Sequence, residues 1–307
     1  VRPFRFGVQA NGAASAAEWR DLARRAEAAG YDALTMPDHF TEQLAPVPAL
    51  MAAADATERL RIGALVWDND YKHPVVLAKE LATMDVLSGG RLEIGIGAGW
   101  MQTDYDQAGI PYDPAPVRID RMIEGIEVVR GCMAPGPFSF SGRHYTITGY
   151  DGLPKPLSRP PLLVGGGGPR MLRYAAREAD IVGVNPVLTS GRIDASTISS
   201  MSAEEVDAKV AVVHEAAGDR LAGIEMNIRA FLVAIAPDAA AATAGVAGMV
   251  GVPESMVAAS PFALVGPPAK LVEDLLARRE RWGFSYVIVG GENLDDFAPV
   301  VAALAGR

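Results

Sequence analysis

The chain has one cysteine, Cys132, so it can form no intrachain disulfide and no cysteine-built zinc centre. Cys132 stands among Val128, Val129 and Met133, the surroundings of a packed, inert thiol. Histidine is also scarce. There are four, no two of them at metal-ligand spacing with a carboxylate, so no metal site is expected. No apolar run reaches the length of a membrane span, and the opening VRPFRFGVQA reads as a strand rather than a secretory signal. Cations are outnumbered, with 28 Lys and Arg against 37 Asp and Glu, which argues against a nucleic-acid or anionic-membrane surface. No nucleophile-elbow pattern occurs, so a serine hydrolase has little support. A soluble, cytoplasmic protein is the expectation from these absences.

What the chain has in quantity is apolar residues, 50% of its 307, enough to bury a large core. Strand-like runs at residues 4–10, 32–36, 60–67, 91–97, 161–164, 180–184, 224–234 and 286–289 alternate with amphipathic helix patterns. Eight strands alternating with helices is the count for a (β/α)8 TIM barrel, here one domain over residues 1–307. A doubly wound sheet is the competing architecture. Two insertions interrupt the repeat. Residues near 135–160 carry a β-hairpin turning at Ser141-Gly142-Arg143, and 186–201 is a polar, lid-like loop rich in Ser and Thr.

Chemistry in such a barrel gathers where strands end. The fifth strand runs into Gly165-Gly166-Gly167-Gly168-Pro169 and then a helix, so bare amides at a helix N-terminus offer a phosphate site, with Arg170 and Arg173 as local cations. A plain flexible loop is the alternative. The second strand ends in Pro37-Asp38-His39-Phe40. His39 suits proton transfer near neutrality, and Asp38 beside it could hold its tautomer if Pro37 bends the chain. Gly95 to Gly99 has no helix opening directly after it, which disfavours a dinucleotide turn and suits a flat ring lying on the backbone. His73 reads as a helix-entry residue, His144 as a hairpin surface residue and His214 as part of a solvated helix face. Asp104 and Asp106 with Arg118 and Arg121 read as surface salt bridges.

Taken in order, several of these pieces resemble the bacterial-luciferase-like superfamily of flavin and deazaflavin oxidoreductases. The carriers are Ala28-Ala29-Gly30-Tyr31-Asp32, Pro37-Asp38-His39-Phe40, His73-Pro74-Val75-Val76-Leu77-Ala78-Lys79 and Leu87-Ser88-Gly89-Gly90-Arg91-Leu92, followed by Gly95-Ile96-Gly97-Ala98-Gly99-Trp100. Leu163-Val164 before the glycine run and Ala216-Ala217-Gly218-Asp219-Arg220 complete the set. Within it the chain looks most like the branch using coenzyme F420, a 5-deazaflavin hydride carrier. The resemblance implies a ring in the barrel mouth with its phosphate on Gly165, Gly166, Gly167, Gly168 and Pro169. It implies ring contacts from Asp38, from a third-strand bulge at Ala64, Leu65 and Val66, and from Gly97, Ala98 and Gly99. A non-proline cis peptide is implied at Ala64–Leu65 or Leu65–Val66, and His39 matches the family histidine as proton donor or acceptor. Sugar-phosphate dehydrogenases of this branch carry a glutamate acid where this chain has Trp100. Trp100, with Trp67, therefore suits a pocket for a less polar substrate. A homodimer follows from the same resemblance. An FMN-dependent monooxygenase of the same fold is the rival reading, and a non-catalytic flavin-binding protein a more distant one.

Overall fold

A computed structural model describes residues 2–307. Eight parallel strands, β1 (Arg5–Gln9), β2 (Ala33–Met36), β3 (Arg61–Ala64), β4 (Leu92–Gly97), β5 (Leu162–Gly166), β6 (Ile181–Val184), β7 (Glu225–Arg229) and β8 (Phe284–Gly290), form one sheet. Their order is β3-β2-β1-β8-β7-β6-β5-β4, and the pairing of β3 with β4 closes the ring. This is the expected (β/α)8 barrel.

The alternation of side chains along each strand builds it. Phe6 and Val8 of β1 pack outward against the helices, as do Leu34 and Met36 of β2 and Ile94 and Ile96 of β4. The inward positions of β1 are then Arg5, Gly7 and Gln9, and those of β7 are Glu225, Asn227 and Arg229. These two strands thus carry an inward ionic residue at the floor and an inward polar residue, Gln9 or Arg229, at the mouth. At the floor, Arg5 is held by Asp32 (2.7 Å), Glu93 (2.5 Å) and Glu225 (2.7 Å), and Arg61 also pairs with Glu93 (2.9 Å). The waist is apolar, with Leu163, Ile181, Tyr286 and Ile288 packed beneath Leu65 and Val66. The polar mouth is left open.

The third strand departs from the expected 60–67. It breaks after Ala64 at a cis Leu65–Val66 bond, one of the two positions expected, and resumes as the short strand Trp67–Asp68. The break turns Val66 inward, where a Cβ on Gly97 would lie 2.5 Å from Val66 Cγ2. The seventh strand also ends early, at Arg229. Beyond the bend at Ala230 and Phe231, Leu232–Ala234 pairs instead with Ala263–Val265, and the helices Ala239–Val250 and Glu254–Ala259 lie between those two strands. The first of these, with Ala or Gly at eight of its 12 positions, has no apolar periodicity to announce it.

The hairpin forms as expected from Phe138–Ser141 and Thr146–Tyr150. Glu124 fixes its turn by accepting the N–H groups of Arg143, His144 and Tyr145. The 186–201 stretch is more than a polar loop. It contains the helix Ala195–Ser199, capped by Asp194, and it sends Leu188, Ile193 and Ile198 toward the barrel mouth. No helix among the described residues is long and apolar enough to cross a membrane.

Candidate active site

The barrel mouth holds a cavity of about 380 Å³. Asp38, His39, Leu65, Val66, Gly99 and Trp100 line it, so the ends of the second, third and fourth strands converge there. The second strand stops at Met36, and Pro37 carries the chain out of the sheet. Asp38 and His39 are therefore free of strand alternation and both face the cavity.

Asp38 does not orient His39. Its Oδ2 accepts the Asp68 N–H at 3.2 Å, which ties the second strand end to the third. The partner of His39 is Asp104, whose Oδ2 lies 2.6 Å from Nδ1 and also accepts the Tyr71 hydroxyl at 3.0 Å. Asp104 is buried at 1% exposure, so the expectation of a surface salt bridge is overturned. The difference has a local cause: the helix Gln102–Ala108 opens right after the fourth-strand glycines, where the sequence pattern predicts no helix. Its first turn drops Asp104 and Tyr105 into the interior. Arg118 is buried too, with Nε donating to the Ala98 carbonyl at 3.2 Å and its guanidinium 4.1 Å from the Tyr112 ring centre.

Behind His39 lies a layer of acids and phenols. The Tyr105 hydroxyl donates to Asp68 (3.0 Å to Oδ2) and to Asp70 (3.2 Å). Burial pushes the Asp68 carboxyl up from its ordinary 3.8 to about 7, with Asp70 and Asp38 adding their charges. Asp38 and Asp70 are raised by burial as well. Burial and these acids drive Tyr71 and Tyr105 far above the ordinary phenol range, so both stay neutral donors. Gly99 is required here: its φ is +71°, and a Cβ would collide with the Tyr105 hydroxyl and lie 2.5 Å from Asp68 Oδ2.

Other expected residues lie elsewhere. Trp67 is fully buried in the core between sheet and helices and does not line the cavity. Strand alternation explains it: Asp68 faces the mouth, so its neighbour must face the other way. Ala64 is buried behind the bulge, Gly97 beneath Val66, and Ala98 is half-buried against the core. The glycine run sits just outside the cavity wall. A Cβ at Gly165 would meet the Asn185 amide at 2.9 Å, at Gly166 the Met171 side chain at 2.5 Å, and at Gly167 the Pro186 carbonyl. Only Gly168 opens on free space, as N-cap of the helix Pro169–Glu178. Arg170 is turned away to Asp120 and the Pro116 carbonyl, so it is not a free cation at that site. His73 caps the helix Pro74–Leu87 and His214 is exposed, as read, whereas His144 is half-buried with Nε2 unpaired.

Gln9 and Arg229 are site residues that the motif reading missed. Gln9 Nε2 donates to the Leu65 carbonyl at 3.0 Å, and its Oε1 accepts from Arg229 Nε at 2.6 Å, a bridge across the mouth from β7 to the bulge.

The luciferase-like monooxygenase family matches residues 1–286 in sequence. The chain belongs to that family. A flavin-type ring fits the site by the chain's own features. The strand ends offer a side-chain-free bed at Gly99, an apolar bulge at Leu65 and Val66, and polar groups at Asp38, Gln9 and Asn185. The family's relatives divide by cofactor. An FMNH(2)-dependent dimethylsulfone monooxygenase of Pseudomonas fluorescens is 29% identical over 70% of this chain and 57% of its own length. An F420-dependent glucose-6-phosphate dehydrogenase of Amycolatopsis mediterranei is 30% identical over 52% of this chain and 52% of its own length. The chain thus spans little more than half of these curated relatives. Among solved structures, the coenzyme F420 dependent tetrahydromethanopterin reductase of Methanopyrus kandleri matches the fold with a TM-score of 0.79 at 19% identity, covering 99% of this chain and 98% of that one.

Proposed function

We propose that the protein is an F420-dependent oxidoreductase acting on a small organic substrate, with His39 as the proton relay. The observation that carries this reading is the His39–Asp104 pair at the cavity wall. When bound, the deazaflavin supplies or accepts a hydride at C5. The chain's own residues handle the proton that accompanies it. Asp104 accepts from Nδ1, which leaves Nε2 as the nitrogen that exchanges a proton with substrate. Trp100 stands edge-on to the His39 ring, with centroids 5.7 Å apart, and limits its rotation. Leu65, Val66 and Gly99 would bed the ring, Asp38, Gln9 and Asn185 would meet its polar edge, and the free amides at Gly168 would take the phosphate.

His39→Ala should lower turnover by about 10²–10⁴-fold while cofactor affinity holds. Unchanged turnover removes His39 from the mechanism. A second reading, an FMN-dependent monooxygenase, is favoured by the dimethylsulfone monooxygenase alignment, which extends over 70% of the chain. In that reading the apolar half of the cavity would serve to keep water from the reacting centre.

A further inference from the structure

We infer that the mouth of the barrel contains an anion subsite at Arg229, and that the substrate of the proposed reaction is a small apolar molecule bearing one carboxylate or sulfonate. The inference rests on that reading for the word substrate; the subsite itself rests on the cavity. Arg229 ends β7 and is the one arginine or lysine lining the cavity among the described residues. It makes no salt bridge among them. Arg5, the inward cation at the other end of the same barrel, is held by three carboxylates. Two neighbours fix the Arg229 guanidinium without neutralising it. Nε donates to Gln9 Oε1 at 2.6 Å and Nη1 to the Ala230 carbonyl, while Nη2 has no protein partner among the described residues. The Phe231 ring flanks it at 4.7 Å. Burial lowers its pKa; the charge of Glu292 opposes that without forming an ion pair with it, so the guanidinium has no carboxylate in contact among the described residues.

The wall beside it is apolar. Phe231 and Ile193 line the cavity yet are 47% and 67% exposed, and Ile198, Met201 and Leu232 continue the surface. Exposed aliphatic and aromatic groups around a cavity are binding surface. A preoriented guanidinium at their edge selects a planar or tetrahedral oxyanion. The acids Asp38 and Asp68 lie with His39, so the charged head at Arg229 places the apolar body between the two.

The test titrates hexanoate, 1-hexanesulfonate and 1-hexanol into the purified protein, with and without cofactor, by calorimetry. Expected is at least ~10-fold tighter binding of the two anions than of the alcohol. Arg229→Met should abolish that difference and Arg229→Lys keep part of it, with both variants retaining the wild-type melting transition and cofactor affinity. Equal binding of hexanol and hexanoate by the wild type overturns the proposal. So does Arg229→Met that loses cofactor affinity but keeps hexanoate, which would assign the guanidinium to the cofactor ring. Because the titration without cofactor reads the subsite alone, a wrong cofactor assignment leaves its outcome unaffected.

Discussion

Replacing Asp68 by Asn should make the protein more stable above neutral pH and leave it nearly unchanged in mild acid. Asp68 is 7% exposed and its pKa is pushed from 3.8 to about 7. The folded state therefore binds more protons than the unfolded chain between those values. The stability this contributes is present in acid and is lost as pH rises through about 7. A rise of roughly three pK units at ~1.4 kcal/mol each sets an upper bound of about 4 kcal/mol, the penalty for holding the group ionised in alkali. Asparagine carries no charge at any pH. Its oxygen can keep the Asp70 N–H, 2.9 Å from Oδ1 in the wild type, and its amide can donate to the Tyr105 oxygen, whose proton then goes to Asp70 at 3.2 Å. Rearranging that bond should cost about 1 kcal/mol at all pH values. The wild type loses this stability progressively between pH 3.8 and about 7, so the net expectation is Asn within about 1 kcal/mol of wild type near pH 5 and about 1–3 kcal/mol above it near pH 8.5. Urea unfolding of both proteins at matched ionic strength reads this difference. Parallel pH profiles would show Asp68 ionised throughout and refute the burial argument.

Asp104→Asn should reduce kcat by about 10²–10⁴-fold with little change in cofactor Kd, because the imidazole loses the acceptor that sets its tautomer. A KM effect alone would make Asp104 merely structural. Gly99→Ala forces a Cβ at φ +71° into the Tyr105 hydroxyl and Asp68 carboxylate, and should lower unfolding free energy by at least ~2 kcal/mol; wild-type stability would show the loop yields. Lys209, 5% exposed, donates to the Ser200 carbonyl at 2.5 Å, and burial lowers its pKa to about 8. Between about pH 8 and the ordinary 10.5 the unfolded chain keeps a proton the folded chain has lost, so stability rises across that window and Lys209→Met should flatten the rise. A steeper rise in the variant would contradict the sign.

The eight strands were legible because apolar runs and amphipathic helices alternate along the chain, and His39 because an Asp-His pair closing a strand is chemically conspicuous. Asp104 was not, since QTDYDQA carries no apolar periodicity. The clue was Gly109, which ends that helix at φ 69°. Trp67 was misplaced by ignoring alternation: a strand that points Asp68 at the mouth must bury its neighbour. The same rule, applied to Arg5-Phe6-Gly7-Val8-Gln9 and Glu225-Met226-Asn227-Ile228-Arg229, would have exposed Gln9 and Arg229 as mouth residues. The cis bond at the bulge and the closeness of Gly166 and Gly167 to Met171 and Pro186 depend on contacts distant in sequence. Those contacts also show that packing alone accounts for glycine at two positions of the run.

The proposed deazaflavin would lie in the barrel mouth, served by His39 and Asp104. Equilibrium titration of the purified apoprotein with F420 and, separately, with FMN, followed by absorbance, tests it most directly. F420 should bind at micromolar or tighter affinity, and Gly99→Ala should weaken it. Tight FMN binding with no F420 binding would contradict the claim.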